Sequence, residues 1–288
     1  MRVTGRSSRS RRAGRWEVVV LLLPALAWLG LLFLLPIGRL FYTSLFGPGL
    51  TLRHYAKLIT EPAYFKILVN TFEIGLVVTM LALLLGYPVA FLLATARPRT
   101  AGLMLACIML PLWTSVLVRT YAWMVLLGRR GVVNEALTGL GLMDTPVPLL
   151  YNRMGVTIGM VHVLLPFMIL PLYSVMKGID VELLKAAQNL GANVRQAFLQ
   201  VYLPLSLPGI AAGCLLVFVT AIGFFITPAL LGGRGDMMIS MLIETQVREL
   251  LNWEFASALS VTLLALTAVI LAVYQRWLGL DRLWGGTV

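Results

Sequence analysis

The hydrophobic positions of this chain fall into long uninterrupted runs, and polar positions are confined to the stretches between them. About twenty consecutive apolar residues suffice to cross a bilayer as a helix, and the chain reaches that length repeatedly. The pattern predicts membrane-spanning helices at residues 17–45, 67–95, 101–127, 154–176, 207–231 and 256–278. We therefore expect an all-α integral membrane protein, with a six-span domain over residues 17–278 and tails at 1–16 and 279–288.

One connection between spans departs from this pattern, and we call residues 180–210 the polar connector. It is polar and mixed in charge, yet its apolar residues recur at steps of three and four, which predicts one apolar helix face. Gly191 interrupts the repeat, so the pattern favours two short helices with a bend. A face that no neighbouring span covers is expected to bind a partner. Its members are Leu183, Leu184, Ala187, Leu190, Val194, Ala197, Phe198 and Val201.

Composition agrees with the membrane class. The 288 residues are 59% hydrophobic and 12% charged, whereas a soluble domain carries roughly 25% charged residues. The two cysteines, Cys107 and Cys214, lie in apolar runs without a CxxC pattern. They are predicted to be buried, unpaired thiols rather than metal ligands or redox groups.

The charged residues predict the orientation of the chain. Residues 1–16 are rich in arginine and contain no acidic residue. The apolar run that follows is longer than a usual signal-peptide core and lacks a cleavage site, so an uncleaved first span fits better. Basic residues beside a span are normally topology signals rather than nucleic-acid contacts. We expect both termini and the polar connector in the cytoplasm, because this orientation puts more Lys and Arg on the cytoplasmic side than on the outer side.

The sequence offers little catalytic chemistry. His54 and His162 lie on different segments, so neither predicts a metal site, and His162 is expected to be a hydrogen-bonded packing residue within its span. GxSxG, HExxH and CxxC motifs are absent. The glycine-rich 232–235 lacks the Lys-Ser/Thr ending of a phosphate-binding loop. We expect no catalytic residue, metal or cofactor on this chain, so ATP, if it drives transport, binds another polypeptide.

Two ionisable residues fall inside predicted spans. Glu73 and Arg119 are both expected in the outer half of the membrane, at similar depth. Ionisable groups in that position are costly and are functional candidates. One interpretation is an internal ion pair that neutralises both. The other is that Glu73 faces a transport pathway and meets a substrate ammonium group.

The polar connector resembles the EAA loop of the permease subunits of ATP-binding-cassette importers. Ala186 and Ala187 match the alanines of that motif, Gly191 follows at the required spacing, and Val201, Leu203 and Pro204 complete its end. Lys185 departs from the pattern, because the family usually has Glu there. The resemblance implies the type I importer permease (MetI-like) fold and a helix that docks into the ATPase. The implied coupling residues are Leu184, Lys185, Ala186, Ala187, Leu190, Gly191, Phe198, Val201, Leu203 and Pro204.

Residues 119–134 and 223–233 are similar to segments of the spermidine/putrescine permeases, specifically the first of their two permease subunits. This resemblance implies a polyamine substrate and a bacterial inner-membrane location. The implied partners are two copies of an ATPase, a second homologous permease and a periplasmic solute-binding protein, besides membrane lipid. Acidic and basic residues nearly balance in the predicted outer loops, so those loops do not select a cationic substrate. Candidate pathway residues are Glu73, Arg119, Tyr121, Trp123, Phe224, Phe225 and Thr227.

Two other classes of protein remain as alternatives. A self-sufficient secondary transporter needs a coupling-ion site and often has repeated broken helices. A membrane enzyme needs catalytic groups that converge within the spans. The sequence gives no convincing sign of either arrangement.

Overall fold

The computed structural model describes residues 13–46, 49–180 and 182–278, and most of the two predicted tails lies outside these ranges. The chain is built of α-helices, with a 3-10 turn at Leu110–Trp113 and a π-helical turn at Phe198–Tyr202. The helices are α1 (Ala13–Leu45), α2 (Arg53–Thr60), α3 (Pro62–Thr95), α4 (Pro98–Met109), α5 (Val116–Leu127), α6 (Val132–Gly139), α7 (Arg153–Lys177), α8 (Glu182–Asn189), α9 (Val194–Ala197), α10 (Leu203–Ile222), α11 (Ile226–Leu231), α12 (Ile239–Arg248) and α13 (Trp253–Leu278).

Helices α3, α7 and α10 pack against one another and form the core. Helix α7 is the most enclosed, and Met160, Leu164 and Met168 are fully buried along it. Gly213 of α10 lies against α7 so closely that an added Cβ would fall 2.7 Å from the sulfur of Met168. Small residues let helix backbones approach in membranes, where van der Waals packing stabilises the contact.

The prediction of an all-α membrane fold is confirmed. Five of the described helices are long and apolar enough to cross a membrane. A sixth crossing results if the pair Pro98–Trp113 and Val116–Gly139, bent by 98°, acts as one broken span.

Two predicted spans are therefore not single straight helices. The third breaks at Thr114 and Ser115, both in extended conformation, after the 3-10 turn that contains Pro111. The fifth is divided into α10 and α11 at residues 223–225. Apolar periodicity cannot detect such breaks, because both sides of each break are equally apolar.

Helix α1 lies at the edge of the molecule and packs on α13. No residue in the most apolar 18-residue stretch of its candidate span is buried within the described structure, so lipid or a partner covers that stretch. Cys107 and Cys214 are free, as predicted, but Cys107 is exposed on α4 and Cys214 is only partly buried. The predicted burial of Cys107 was wrong, because the outer surface of a membrane protein is as apolar as its interior.

Candidate functional site

The polar connector contains the bend that Gly191 predicted. Gly191 has a φ of +96°, which glycine adopts without strain. The amide of Gly191 donates to the carbonyl of Gln188 (2.9 Å) and that of Ala192 to the carbonyl of Ala187 (3.1 Å). This pair of bonds is a Schellman motif, which ends α8.

The next helix starts from a reciprocal cap. The amide of Gln196 donates to Oδ1 of Asn193 (2.8 Å), and the amide of Asn193 donates to Oε1 of Gln196 (2.9 Å). Such a capping box satisfies two backbone donors at a helix start. The bend between α8 and α9 is thus fixed on both sides by hydrogen bonds.

The bend divides the predicted apolar face in two. Leu184 and Phe198 pack toward the core, and Phe198 stacks on Tyr202 with ring centroids 5.7 Å apart. Leu190 is 89% exposed and Val194 is 74% exposed at the tip of the connector. The expectation of one continuous face was wrong, because the residues beside the bend lie at an exposed tip and those farther from it pack toward the core.

The other predicted coupling residues are distributed between these two surfaces. Gly191 is also exposed at the bend. The partly buried residues are Ala187, Val201 and Leu203; the exposed residues are Lys185, Ala186 and Pro204.

Lys185, the departure from the EAA pattern, pairs within its own helix. Its Nζ donates to Oε1 of Glu182 at 2.7 Å, and both side chains are exposed. That hydrogen bond and the carboxylate charge raise the pKa of Lys185 above its ordinary value. Because the pKa of Lys185 is higher in the folded chain than in the unfolded chain, the stabilisation by this pair is fully present below the unfolded-state pKa. It is lost as the pH rises through the folded-state pKa. Lys185 is therefore a cation at neutral pH, with Glu182 beside it.

Glu73 does not pair with Arg119, so that interpretation was wrong. Its carboxylate accepts from Nη2 of Arg153 at 2.7 Å, at the start of α7. Arg153 also donates to Oδ1 of Asn70 at 3.3 Å and lies 3.9 Å from Asp236. The Glu73 side chain is 53% exposed and lies at the N-terminal end of α7 in a small charged cluster.

Arg119 instead lies buried on α5, and no described residue forms an ion pair with it. The residue is 9% exposed. Its Nε and Nη1 have no hydrogen-bond partner among the described residues. Sequence spacing placed it at the depth of Glu73, but depth alone does not fix the direction in which a side chain points.

Several pathway candidates do converge around α5. Thr120 Oγ1 and Thr227 Oγ1 are hydrogen-bonded at 3.1 Å, which joins α5 to α11. Trp123 Nε1 donates to Nδ1 of His162 at 3.1 Å, so the predicted hydrogen-bonded packing role of His162 is confirmed. Trp123 and His162 line a groove of about 310 Å³, together with Leu81, Leu85, Thr157, Ile158, Val161 and Leu165.

The remaining pathway candidates lie elsewhere. Tyr121 is 51% exposed on another face of α5, and Phe225 is 36% exposed at the break before α11. Phe224 is partly buried, and its carbonyl accepts a hydrogen bond from Ser240. The sequence-based search missed Thr120, Arg153 and Asp236 as participants, because their partners are distant in sequence.

Comparisons with known proteins agree on the class of the chain. The family model described as "Binding-protein-dependent transport system inner membrane component" matches residues 82–280. The chain is 38% identical over 261 residues to the spermidine/putrescine transport system permease protein PotB of Escherichia coli strain K12, covering 91% of this chain and 93% of that protein. It is 32% identical to the E. coli inner membrane ABC transporter permease protein YdcU, covering 92% and 90%.

Solved structures share the fold. The crystal structure of a bacterial ABC transporter involved in the import of the acidic polysaccharide alginate matches with a TM-score of 0.71 and 20% identity, covering 92% of this chain and 96% of that one. The alginate transporter in complex with its pentasaccharide-bound periplasmic protein matches with a TM-score of 0.70. At this identity the likeness extends to the fold and not to the substrate.

Proposed function

We propose a specific role for this chain from the premise that it belongs to the family of binding-protein-dependent transport system inner membrane components. As a member, it is an inner-membrane permease subunit of an ABC importer. We propose that it forms half of the translocation pathway for a polyamine and is driven by a separate ATPase. The remaining partners would be a second, homologous permease and a periplasmic solute-binding protein.

The observation that carries the coupling proposal is the exposed tip of the polar connector. Leu190 and Val194 are open, while hydrogen bonds fix the bend between their helices. Burying an aliphatic side chain of this size contributes about 1.5–3 kcal/mol, so two or three anchors can hold a docked ATPase. Phe198 and Tyr202, packed against Phe91 of α3, would transmit movement of the docked surface to the core.

The ATP would bind the two ATPase copies, and this chain would hold no cofactor. The polar connector and both termini would then face the cytoplasm, where ATP is available. The outer cluster of Glu73, Arg153 and Asp236 would face the solute-binding protein.

The polyamine proposal is supported by the likeness to spermidine/putrescine permeases. A flexible polycation would be recognised by carboxylates and by aromatic faces. Glu73 is half-exposed at the outer end of the helices, and the aromatic side chains of Tyr121 and Phe225 are accessible. Arg153 currently neutralises Glu73, so a substrate ammonium would have to compete with that guanidinium.

The first test of this function is a tagged purification from mild detergent, with co-purifying proteins identified by mass spectrometry. We expect an ATPase and a second six-span permease. A chain that emerges alone and transports its solute on an ion gradient would contradict the importer role.

The substrate is tested in the reconstituted complex. The solute-binding protein of the system, loaded with spermidine, is expected to stimulate ATP hydrolysis. Stimulation by an unrelated solute and not by spermidine or putrescine would reject the polyamine and leave the importer role intact.

A further inference from the structure

The guanidinium of Arg119 is buried, and no described residue of this chain pairs with its charge. Arg119 is 9% exposed, and two of its three nitrogens are buried without a hydrogen-bond partner among the described residues. Buried polar groups in proteins are almost always hydrogen-bonded, and buried charges are paired. An arginine in this state points to a missing anion.

The chain itself does not supply that anion in the described structure. Acidic residues within the helices that could cross the membrane are Glu73, Glu135 and Glu254. Glu73 pairs with Arg153 and Glu254 with His54, and Glu135 is exposed on α6. None of the three lies within ion-pair distance of Arg119 among the described contacts.

The neighbouring polar groups are already engaged. The hydroxyl of Thr120 bonds to the carbonyl of Val116 and to Thr227. The ring of His162, on the facing helix α7, accepts from Trp123. Neither the hydroxyl of Thr120 nor the ring of His162 supplies a negative charge that could neutralise Arg119.

We propose that Arg119 binds a carboxylate of the second permease subunit, so that the ion pair forms only in the assembled transporter. The inference rests on the proposed function, which supplies that subunit. Leu117, Val118 and Tyr121 of the same helix are 45%, 62% and 51% exposed, so α5 presents an apolar surface beside Arg119 on which a second subunit can pack. A single side chain can reach an enclosed guanidinium, whereas a lipid headgroup is bulky and stays at the membrane surface.

Charge complementarity also favours this occupant. An unneutralised arginine beside the pathway would repel a polycationic substrate. A carboxylate from the partner removes that repulsion, while Glu73 stays paired with Arg153. The same contact would also align the two permease subunits, because the planar guanidinium binds a carboxylate in a fixed geometry.

The test compares Arg119→Met in two settings. In the chain expressed alone, the substitution removes an unpaired buried charge, so the melting temperature in detergent is expected to rise. In the complex it leaves the partner's carboxylate unpaired, and the amount of second permease that co-purifies is expected to fall roughly tenfold or more. The matched control Arg153→Met, which removes a guanidinium paired within the chain, is expected not to raise the melting temperature of the isolated chain.

Charge reversal identifies the partner residue. Arg119→Glu is expected to abolish assembly, and replacing one Asp or Glu in the spans of the second subunit by Arg is expected to restore it. Where Arg119→Met does not insert, Arg119→Gln provides the same comparison with a smaller change.

Three outcomes would overturn the proposal. Arg119→Met could stabilise the isolated chain and leave assembly unchanged, destabilise the isolated chain as much as the complex, or affect assembly only in anionic lipid. A wild-type chain that co-purifies with no second permease would instead refute the proposed function.

Discussion

At the scale of single residues, two hydrogen bonds between polar side chains connect α5 to neighbouring helices. Lipid offers no hydrogen bonds, so each such group needs a partner within the protein. Trp123 and His162 join α5 to α7, and Thr120 and Thr227 join α5 to α11. These two hydrogen bonds attach α5, the short helix after the break at residues 114–115, to α7 of the core and to α11.

The Trp123 contact gives a first prediction. Trp123→Phe keeps the aromatic ring but removes the indole donor, so His162 loses its partner. Hydrogen bonds between membrane helices contribute about 0.6 kcal/mol on average and up to about 1.7 kcal/mol, and we expect a loss of unfolding free energy in that range. The measurement is the unfolding free energy of the wild-type chain and of each variant in detergent. Trp113→Phe is the control, because Trp113 is 85% exposed, and an equal loss in both variants would contradict the role of the bond.

A second prediction concerns Glu73. Glu73→Gln breaks a pair between half-exposed side chains, which contributes at most about 1 kcal/mol to folding. If Glu73 meets a substrate ammonium, polyamine uptake falls by about tenfold, equivalent to about 1.4 kcal/mol. The control is Glu244→Gln, which breaks the partly exposed Glu244–Arg248 pair on α12. Unchanged uptake with unchanged folding would exclude Glu73 from the pathway.

The residue scale is also where prediction from sequence failed most clearly. Spacing along the chain correctly marked Glu73 and Arg119 as unusual. It could not assign their partners, because pairing depends on the rotation of each helix about its axis. Arg153 lies 80 positions from Glu73 in sequence, and only packing of α3 against α7 brings the two together.

At the scale of elements, the polar connector is the part whose local structure the sequence specifies best. Glycine at a positive φ and a capping box of four residues are local features that need no tertiary contact. The two helices and the bend at Gly191 were therefore predictable. The division of their apolar residues between the core and the open surface was not.

The bend gives a third prediction. Gly191→Ala finds open space around its Cβ, so any loss arises from the φ of +96°, a cost of about 1 kcal/mol for a residue with a side chain. We expect reduced co-purification of the ATPase. Gly178→Ala is the matched control at the end of α7, because Gly178 has an ordinary helical φ of −84°. An equal effect of the two substitutions would argue against a specific role for the bend.

Stronger changes to the same element should separate docking from insertion. Gly191→Pro forces a φ that the bend cannot accept, and Ala187→Glu places a charge beside the docking surface. Both are expected to abolish ATPase binding while the chain still inserts in the membrane. Recovery of the ATPase at the wild-type yield with either variant would refute the coupling role.

At the scale of the whole molecule, the arrangement has one core of three helices with more loosely attached helices around it. Helix α1 contacts α13, and the exposed apolar residues of α1 and α5 leave large surfaces for lipid or for other subunits. A permease that forms half of a pathway is expected to leave such surfaces open. The distribution of basic residues predicts which loops face the cytoplasm.

Orientation gives the fourth prediction. In a chain whose own cysteines are replaced by alanine, Leu190→Cys is expected to react with a membrane-impermeant maleimide only from the cytoplasmic side. Leu140→Cys, after α6, is expected to react only from the outside. Both positions are well exposed, at 89% and 74%, so accessibility does not bias the comparison. The opposite labelling pattern would invert the topology.

The sequence by itself determined the membrane class, the number and approximate limits of the apolar segments, and the bend of the polar connector. Each depends on composition or on contacts between residues close in the chain. Tertiary structure decided the break between α4 and α5, the pairing of Glu73 with Arg153, the exposure of Cys107 and the unpaired burial of Arg119. Those features depend on how the helices rotate about their axes and pack. The sequence cannot distinguish them, because the same apolar residue types face lipid, a partner or the core.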